Sequence, residues 1–371
     1  MFESTLNHPG PPTPPAGQTT APHRRPHKWR IVLAVVVVLL LGIGLLDLHF
    51  SGHYDVFVPG EAPNAESHVT INAPPSGSPE CTPGALCVHK RSGSIHLTTV
   101  GVYYSAPIFQ LLQAKLDPKD AIYPEVEYPN TPGQEIQAMD TSQRDGEVAA
   151  LGEVLGYGNL KIDGALVVSV ADKTPAAKVL QPGDVIRSAD GVSLATATAT
   201  NLLESAVGAH SVGQTVNLTI LRDNKTRDNK TMDVNVGIIK NTTPPPAEIM
   251  GVEVEPDFVL PVKINIDASG IGGPSAGLSW ALSIVQLVGS SDLTRGRTIA
   301  DTGTIDYLGN VGDIGGIQQK VYGAEAVGAT VFLCPKDQAA DARAAAAKVG
   351  YHLKVMGVTT LHQAVQDLLA G

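Results

Sequence analysis

From Ile31 to Leu46 sixteen consecutive residues carry neither a charge nor a proline. A helix over them spans about 24 Å at 1.5 Å per residue, slightly less than the ~30 Å hydrocarbon core of a bilayer. Trp29 on one side and Leu48 and Phe50 on the other extend it through the interfaces. Arg24, Arg25, Lys28 and Arg30 precede the run. Basic residues stay in the cytoplasm, so the pattern predicts a single-pass plasma-membrane anchor over 31–50, N-terminus inside, with everything after it extracytoplasmic. A cleaved signal peptide and a buried helix are the alternatives. The long basic, Pro-rich tail and the lack of a small-x-small cleavage site favour the anchor.

Residues 1–30, rich in Pro, Thr and His, read as a disordered cytoplasmic tail, and 51–95 as an extracytoplasmic stalk. From His96 the rhythm becomes globular. His96–Tyr104 predicts a strand, Ile108–Leu116 a short helix, and Gly133–Tyr157 has helical spacing; 96–157 is expected to pack on the domain that follows. In 158–240 the dense β-branched run Ala165–Val170 precedes Thr-Pro-Ala-Ala at 174–177. Then come Leu180–Ile186, the turn Asp190–Gly191, a helix Thr198–Val207, and strands Thr215–Leu221 and Met232–Ile238. The near-repeat of Arg222–Thr226 in Arg227–Thr231 reads as a polar hairpin tip. Asn241–Ala247, with three consecutive prolines, predicts a linker before a last domain, 248–371.

Composition narrows the class. Of 371 residues 43% are hydrophobic and 17% charged, and the net charge is −10. The chain can bury cores, and its charge argues against a nucleic-acid partner. Cys81 and Cys87 lie in a Pro/Gly/Ser-rich stretch and form a disulfide candidate in an oxidising compartment. No further Cys or His stands at ligand spacing around them, so no metal and no cofactor is expected. Cys334, in an apolar strand, reads as a buried thiol.

The chemistry concentrates in the last domain. Strand Val262–Ile266 leads into Ile-Gly-Gly-Pro-Ser-Ala-Gly at 271–277 and an apolar helix, Leu278–Val288. Pro274 suits a first helical position, which puts Ser275 in the first turn, where free backbone N–H groups can hold an oxyanion. Gly272, Gly273 and Gly277 would let a substrate backbone approach, with Ala276 beside the oxyanion. A second helix from Gly315–Gly316 to about Val327 carries Lys320 on its apolar face. Held inside, that amine loses proton affinity and can accept a hydroxyl proton. No histidine occurs between His210 and His352, so a Ser-Lys dyad needs fewer distant partners than a Ser-His pair.

These blocks carry a resemblance. Gly-Pro-Ser-Ala-Gly (273–277), Asp-Thr-Gly-Thr-Ile (301–305) and Gly-Gly-Ile-Gln-Gln-Lys (315–320), in this order, resemble the signatures of the Lon protease domain. The segment 158–240 resembles a bacterial-type PDZ domain, and the whole is similar to the PDZ-containing Lon-like proteases of Gram-positive, especially actinobacterial, species. The resemblance implies an α+β fold: a Lon-type proteolytic domain (ribosomal protein S5 domain 2-like) after a PDZ-like β-rich domain and one transmembrane helix. It implies Ser275 as nucleophile, Lys320 as general base and Thr302 as a group positioning the amine. It also implies a PDZ peptide groove on a free strand edge at Gly164, Ala165, Leu166, Val167 and Val168, with Leu202 or Leu203 opposite. The family often has an acidic residue before Gly-Pro-Ser, where this chain has Gly272–Gly273, and Glu after Thr-Gly, where it has Thr304. No Gly-x-x-x-x-Gly-Lys-Ser/Thr phosphate loop occurs, so the expected activity is ATP-independent serine endopeptidase action on unstructured or damaged extracytoplasmic or membrane proteins. The rival expectation is a non-catalytic, membrane-tethered peptide-binding scaffold. Expected partners are protein or peptide substrates and the membrane; self-association into a homo-oligomer is left open.

Overall fold

In the computed structural model residues 27–50, 53–124, 132–222, 230–241 and 247–371 are described. Most of the expected tail, the hairpin tip and the proline run therefore lie outside the described residues. Helix α1, His27–Phe50, contains the apolar run, and none of its 18-residue window Lys28–Leu45, of mean hydropathy 2.3, is buried in the protein.

Strand β1, Tyr54–Pro59, starts four residues after α1, and β2 (Val69–Ile71) and β3 (Ser94–Leu97) follow. This region is not a stalk. Val56 and Ile95 are buried, at 1% and 0% exposure, and Cys81 is disulfide-bonded to Cys87. Two such side chains left in solvent would each forgo about 1.5–3 kcal/mol of burial, which a solvated spacer cannot recover. The expected strand 96–104 is two strands in different sheets: β3, and β4 at Val100–Tyr103. The break falls at Thr98, whose N–H and hydroxyl both donate to the Asp301 carbonyl. β4 flanks β1, and after α2 (Ile108–Leu116) strand β5 (Ala121–Pro124) flanks its other edge, giving a small sheet β4-β1-β5.

Helix α3, Pro132–Leu155, was expected to pack on the β-rich domain; its core face belongs elsewhere. Met139, Val148 and Leu151 join the core of the C-terminal domain. Gly146 makes this possible: a Cβ there would come within 3.2 Å of the Gly277 carbonyl oxygen and the Trp280 Cβ.

The β-rich domain holds β6 (Lys161–Val170), β7 (Val185–Ala189), helix α4 (Ala199–Gly208), β8 (Thr215–Arg222) and β9 (Lys230–Gly237). Strand β10 (Val252–Val259) completes the sheet in the order β9-β8-β7-β6-β10, although it follows the proline run. The boundary is therefore not clean: Asn241 N–H bonds the Ala247 carbonyl, and the chain returns to the sheet before leaving it.

The C-terminal domain begins with β11 (Ile264–Ile266), paired to β2, and α5 (Gly277–Val288). Its parallel sheet runs β14-β13-β12-β3, with β12 at Thr298–Asp301, β13 at Val331–Pro335 and β14 at Lys354–Val358. Every residue of β13 is buried, as a central parallel strand with both faces covered requires. Helix α5 covers one face; α6 (Ile317–Ala326) and α7 (Ala339–Lys348) cover the other, and α8 (Leu361–Ala370) closes the α5 side. The whole is a mixed α/β structure.

Candidate active site

Ser275 lies where β11 hands over to α5. Gly273 has φ +80°, a conformation that only glycine adopts cheaply, and it turns the chain into the 3-10 turn Pro274–Ala276 that opens α5. The turn is pinned on three sides. The Ser142 hydroxyl of α3 donates to the Pro274 carbonyl (2.8 Å). The Gly303 N–H (3.0 Å) and the Thr302 hydroxyl (3.2 Å) donate to the Ser275 carbonyl. The 3-10 turn engages the N–H groups from Ala276 onward, which leaves the Ser275 N–H, ahead of the first bond of the turn, as the one a developing oxyanion can use. Gly272 is exposed, with open space where a side chain would be. Gly277 serves packing instead of substrate: a Cβ there would meet Ile305 at 2.7 Å and the Ser142 hydroxyl at 2.8 Å.

Lys320 approaches from the other face of the sheet edge. Gly316, in the left-handed region at φ +68°, starts α6. One turn later Lys320 lies among Ile317, Val321 and Ala324 with 1% of its surface exposed, buried and not snorkelling. Its Nζ donates to Ser275 Oγ at 2.7 Å and to Thr302 Oγ1 at 2.9 Å. Burial pulls the amine down to about 7, against the opposing pull of the Asp301 charge.

Strand alternation explains who faces whom. Thr302, just past β12, points with Ala300 toward α6, whereas Asp301 points with Ile299 toward α5. Asp301 accepts the Ser279 hydroxyl at 2.5 Å; its other oxygen has no hydrogen-bond partner among the described residues. Burial raises this carboxyl to about 7, opposed by the Ser279 bond and the Lys320 charge. Asp301, Ser279 and Ser142 were not singled out from sequence. An acidic residue directly before the Thr302 motif, in a strand otherwise apolar, was the available signal for the first.

Beside Pro274 and Ile305 a cleft of about 350 Å³ opens between α3 and β6, lined also by Gln137, Thr141 and Val168. These last three equally line a second cleft of about 450 Å³ that continues along β6 toward Arg187. The two share walls, and the smaller reaches Pro274, the residue before Ser275. Between them lies a carboxyl pair: Asp145 is raised to about 8 by burial and by Glu255, and Glu255 is itself raised by burial.

The groove expected at Gly164–Val168 is not a free edge. β7 pairs one side of β6, and β10 runs antiparallel along the other, with Val254 opposite Val167 and Glu255 opposite Leu166. An added peptide would have to occupy a place that the chain's own β10 already fills. Among the remaining sequence candidates, Cys334 is buried and its thiol is pushed up to about 12 by burial. No metal-holding cluster of His, Cys, Asp and Glu occurs among the described residues.

Comparisons with known proteins bear on both domains. Residues 138–236 match the PDZ domain family, and residues 253–371 match the Lon protease (S16) C-terminal proteolytic domain. The Lon protease of Rickettsia conorii is 30% identical over 115 residues, which cover 31% of this chain and 14% of that protein. Lon protease 1 of Sorangium cellulosum is 36% identical over 110 residues, covering 29% and 13% respectively. The chain thus spans only about one-seventh of the length of these curated relatives. Among solved structures, the PDZ domain of an SdrC-like protein from Listeria monocytogenes is similar at 24% identity. It covers 25% of this chain and 87% of its own, with a TM-score of 0.21. The matched segments exchange elements: α3 begins the PDZ match but packs on α5, while β10 begins the Lon match but pairs with β6.

Proposed function

We propose that this chain, which carries a PDZ domain and a Lon-type proteolytic domain, is an ATP-independent serine endopeptidase anchored in the membrane by α1. The observation that carries the reading is the 2.7 Å contact between the buried Lys320 amine and the Ser275 hydroxyl. A neutral Lys320 accepts the Ser275 proton as Oγ attacks the substrate carbonyl carbon. The oxyanion forms at the Ser275 N–H in the turn that opens α5. Collapse breaks the C–N bond, and the Lys320 ammonium returns its proton to the leaving amine. Water, deprotonated by the same amine, then hydrolyses the acyl-Ser275 ester. Thr302 holds the amine on the line to Oγ in both half-reactions.

Substrates are unstructured polypeptides, because the sequence has no phosphate-binding loop to drive unfolding. The pair of clefts along α3 and β6 is their path to the serine. The test is labelling with a serine-directed phosphonate, read by intact mass, alongside hydrolysis of an unstructured peptide. Wild type takes one label and cleaves; Ser275→Ala does neither. A wild-type protein that neither labels nor cleaves would be a tethered scaffold and not an enzyme.

A further inference from the structure

Outside α1, the exposed large apolar side chains are not evenly spread. Phe109, Leu112 and Leu116 belong to α2, Tyr103 ends β4 on the sheet face that α2 covers, and Tyr104 follows it directly in the turn that leads to α2. Helix α2 is apolar on two sides. Leu111 and Ala114 face the small core with Val56 and Ala106. Phe109, Leu112 and Leu116, at i, i+3 and i+7, fall on the opposite side, exposed by 62%, 60% and 87%. A soluble surface helix needs only the first of these two faces.

The position of α2 identifies what covers the second. The apolar run of α1 ends at Leu46, and the next residue, Asp47, accepts the backbone N–H of Ile108 at 2.7 Å. Asp47 thereby caps α2, whose own preceding residue, Pro107, offers no side-chain cap. The helix starts at the level where the span leaves the hydrocarbon. The chain path agrees: residues 51–53 alone separate α1 from β1, a reach of roughly 10–14 Å for the link to Tyr54. Tyrosines beside an apolar helix face are the side chains that settle at a bilayer interface, and Lys115 on the flank can extend its amine to phosphate headgroups.

We infer that α2 is an interfacial membrane helix, its Phe109–Leu112–Leu116 face inserted in the headgroup layer next to the anchor, so that the catalytic body lies against the bilayer. The inference rests on the anchor reading of α1. Its consequence for function is reach: the protease works on segments close to the membrane surface, not on proteins held away from it.

The test uses the full chain in phosphatidylethanolamine–phosphatidylglycerol vesicles, with a spin label on Leu112→Cys and, separately, on the exposed Val212→Cys as a distal control. The native cysteines are disulfide-bonded or buried and leave the label selective. At position 112, collisions with dissolved oxygen should exceed those with a water-soluble nickel chelate several-fold; position 212 should show the reverse. Phe109→Ser with Leu116→Ser should cut the oxygen excess at 112 while hydrolysis of a soluble peptide stays unchanged, which also reports an intact fold. If the chain resists alkaline carbonate but position 112 is as open to nickel as 212, the interfacial helix is wrong and the anchor stands. Extraction of the chain by carbonate removes both. Dipolar coupling between labels at 112 on different copies, with nickel excluded, would assign the face to self-association and overturn the lipid contact.

Discussion

Asp301 accepts the Ser279 hydroxyl on the α5 side of its strand, one residue before Thr302 receives the Lys320 amine on the other. A buried carboxyl therefore stands directly behind the dyad without bonding either member. Its negative charge opposes the effect of burial on Lys320.

Asp301→Asn keeps an acceptor for Ser279 and removes the charge. Losing a nearby negative charge lowers the proton affinity of the amine, so the acid limb of kcat/KM should move to lower pH, by about half to one unit. The plateau rate should change little. The pH profile of peptide hydrolysis checks this, and an acid limb that stays put would mean that the Asp301 charge does not reach the amine.

The wild-type profile itself should rise through a single ionisation near 7, the value to which Lys320 is held, and well below the ~10.4 of a free lysine. Lys320→Arg keeps a charge that does not dissociate in this range and should be as inactive as Lys320→Ala. Ser275→Ala with Lys320→Ala should be no worse than either alone, because the two act as one unit. An active Lys320→Arg enzyme would require another base.

Local chemistry was legible in the sequence; long-range pairing was not. Pro274, the glycines around Ser275 and the helical spacing of Lys320 are all encoded within a few residues, and the structure brings the two side chains and Thr302 together. The covering of β6 by β10 depends on strands more than eighty residues apart, joined in a register interrupted by two bulges. Alternation within Ala165–Val170 cannot report such a partner. Residues 51–95 misled for a related reason. Their Pro, Gly and Ser content marks loops correctly, but the short strands between them find partners on β11 and β12 some two hundred residues later. Gly146 lies within the helical spacing of 133–157, but nothing local shows that its missing side chain is what admits the start of α5.

Thr141 lines both of the clefts proposed as the substrate path. Thr141→Trp should fill the passage without touching the dyad. Cleavage of peptides longer than about ten residues should fall at least tenfold in kcat/KM, mainly through KM, while the rate of labelling by a small phosphonate stays within about twofold. Equal losses in both measurements would show that the clefts are not the substrate path.

Asp145 links pH to stability. Burial, and then the neighbouring Glu255, raise its carboxyl to about 8 from an ordinary value near 3.8. The native state therefore keeps a proton that the unfolded chain releases above pH ~4. Stability from this group is full below that pH and is lost progressively as pH rises through 8. Each unit of difference corresponds to about 1.4 kcal/mol, but Asp145 shares its proton with Glu255, so the loss at pH 8 is of order 1–3 kcal/mol. Asp145→Asn cannot ionise and can still hydrogen-bond Glu255. It should unfold a few degrees higher than wild type at pH 8, with the gain shrinking toward zero near pH 4. Thermal unfolding of both proteins across that range measures it, using Ser275→Ala backgrounds to prevent self-cleavage. A gain independent of pH would point to altered packing, and a loss at pH 8 would mean that the carboxylate is stabilised there and that Arg144, the nearby cation, outweighs burial.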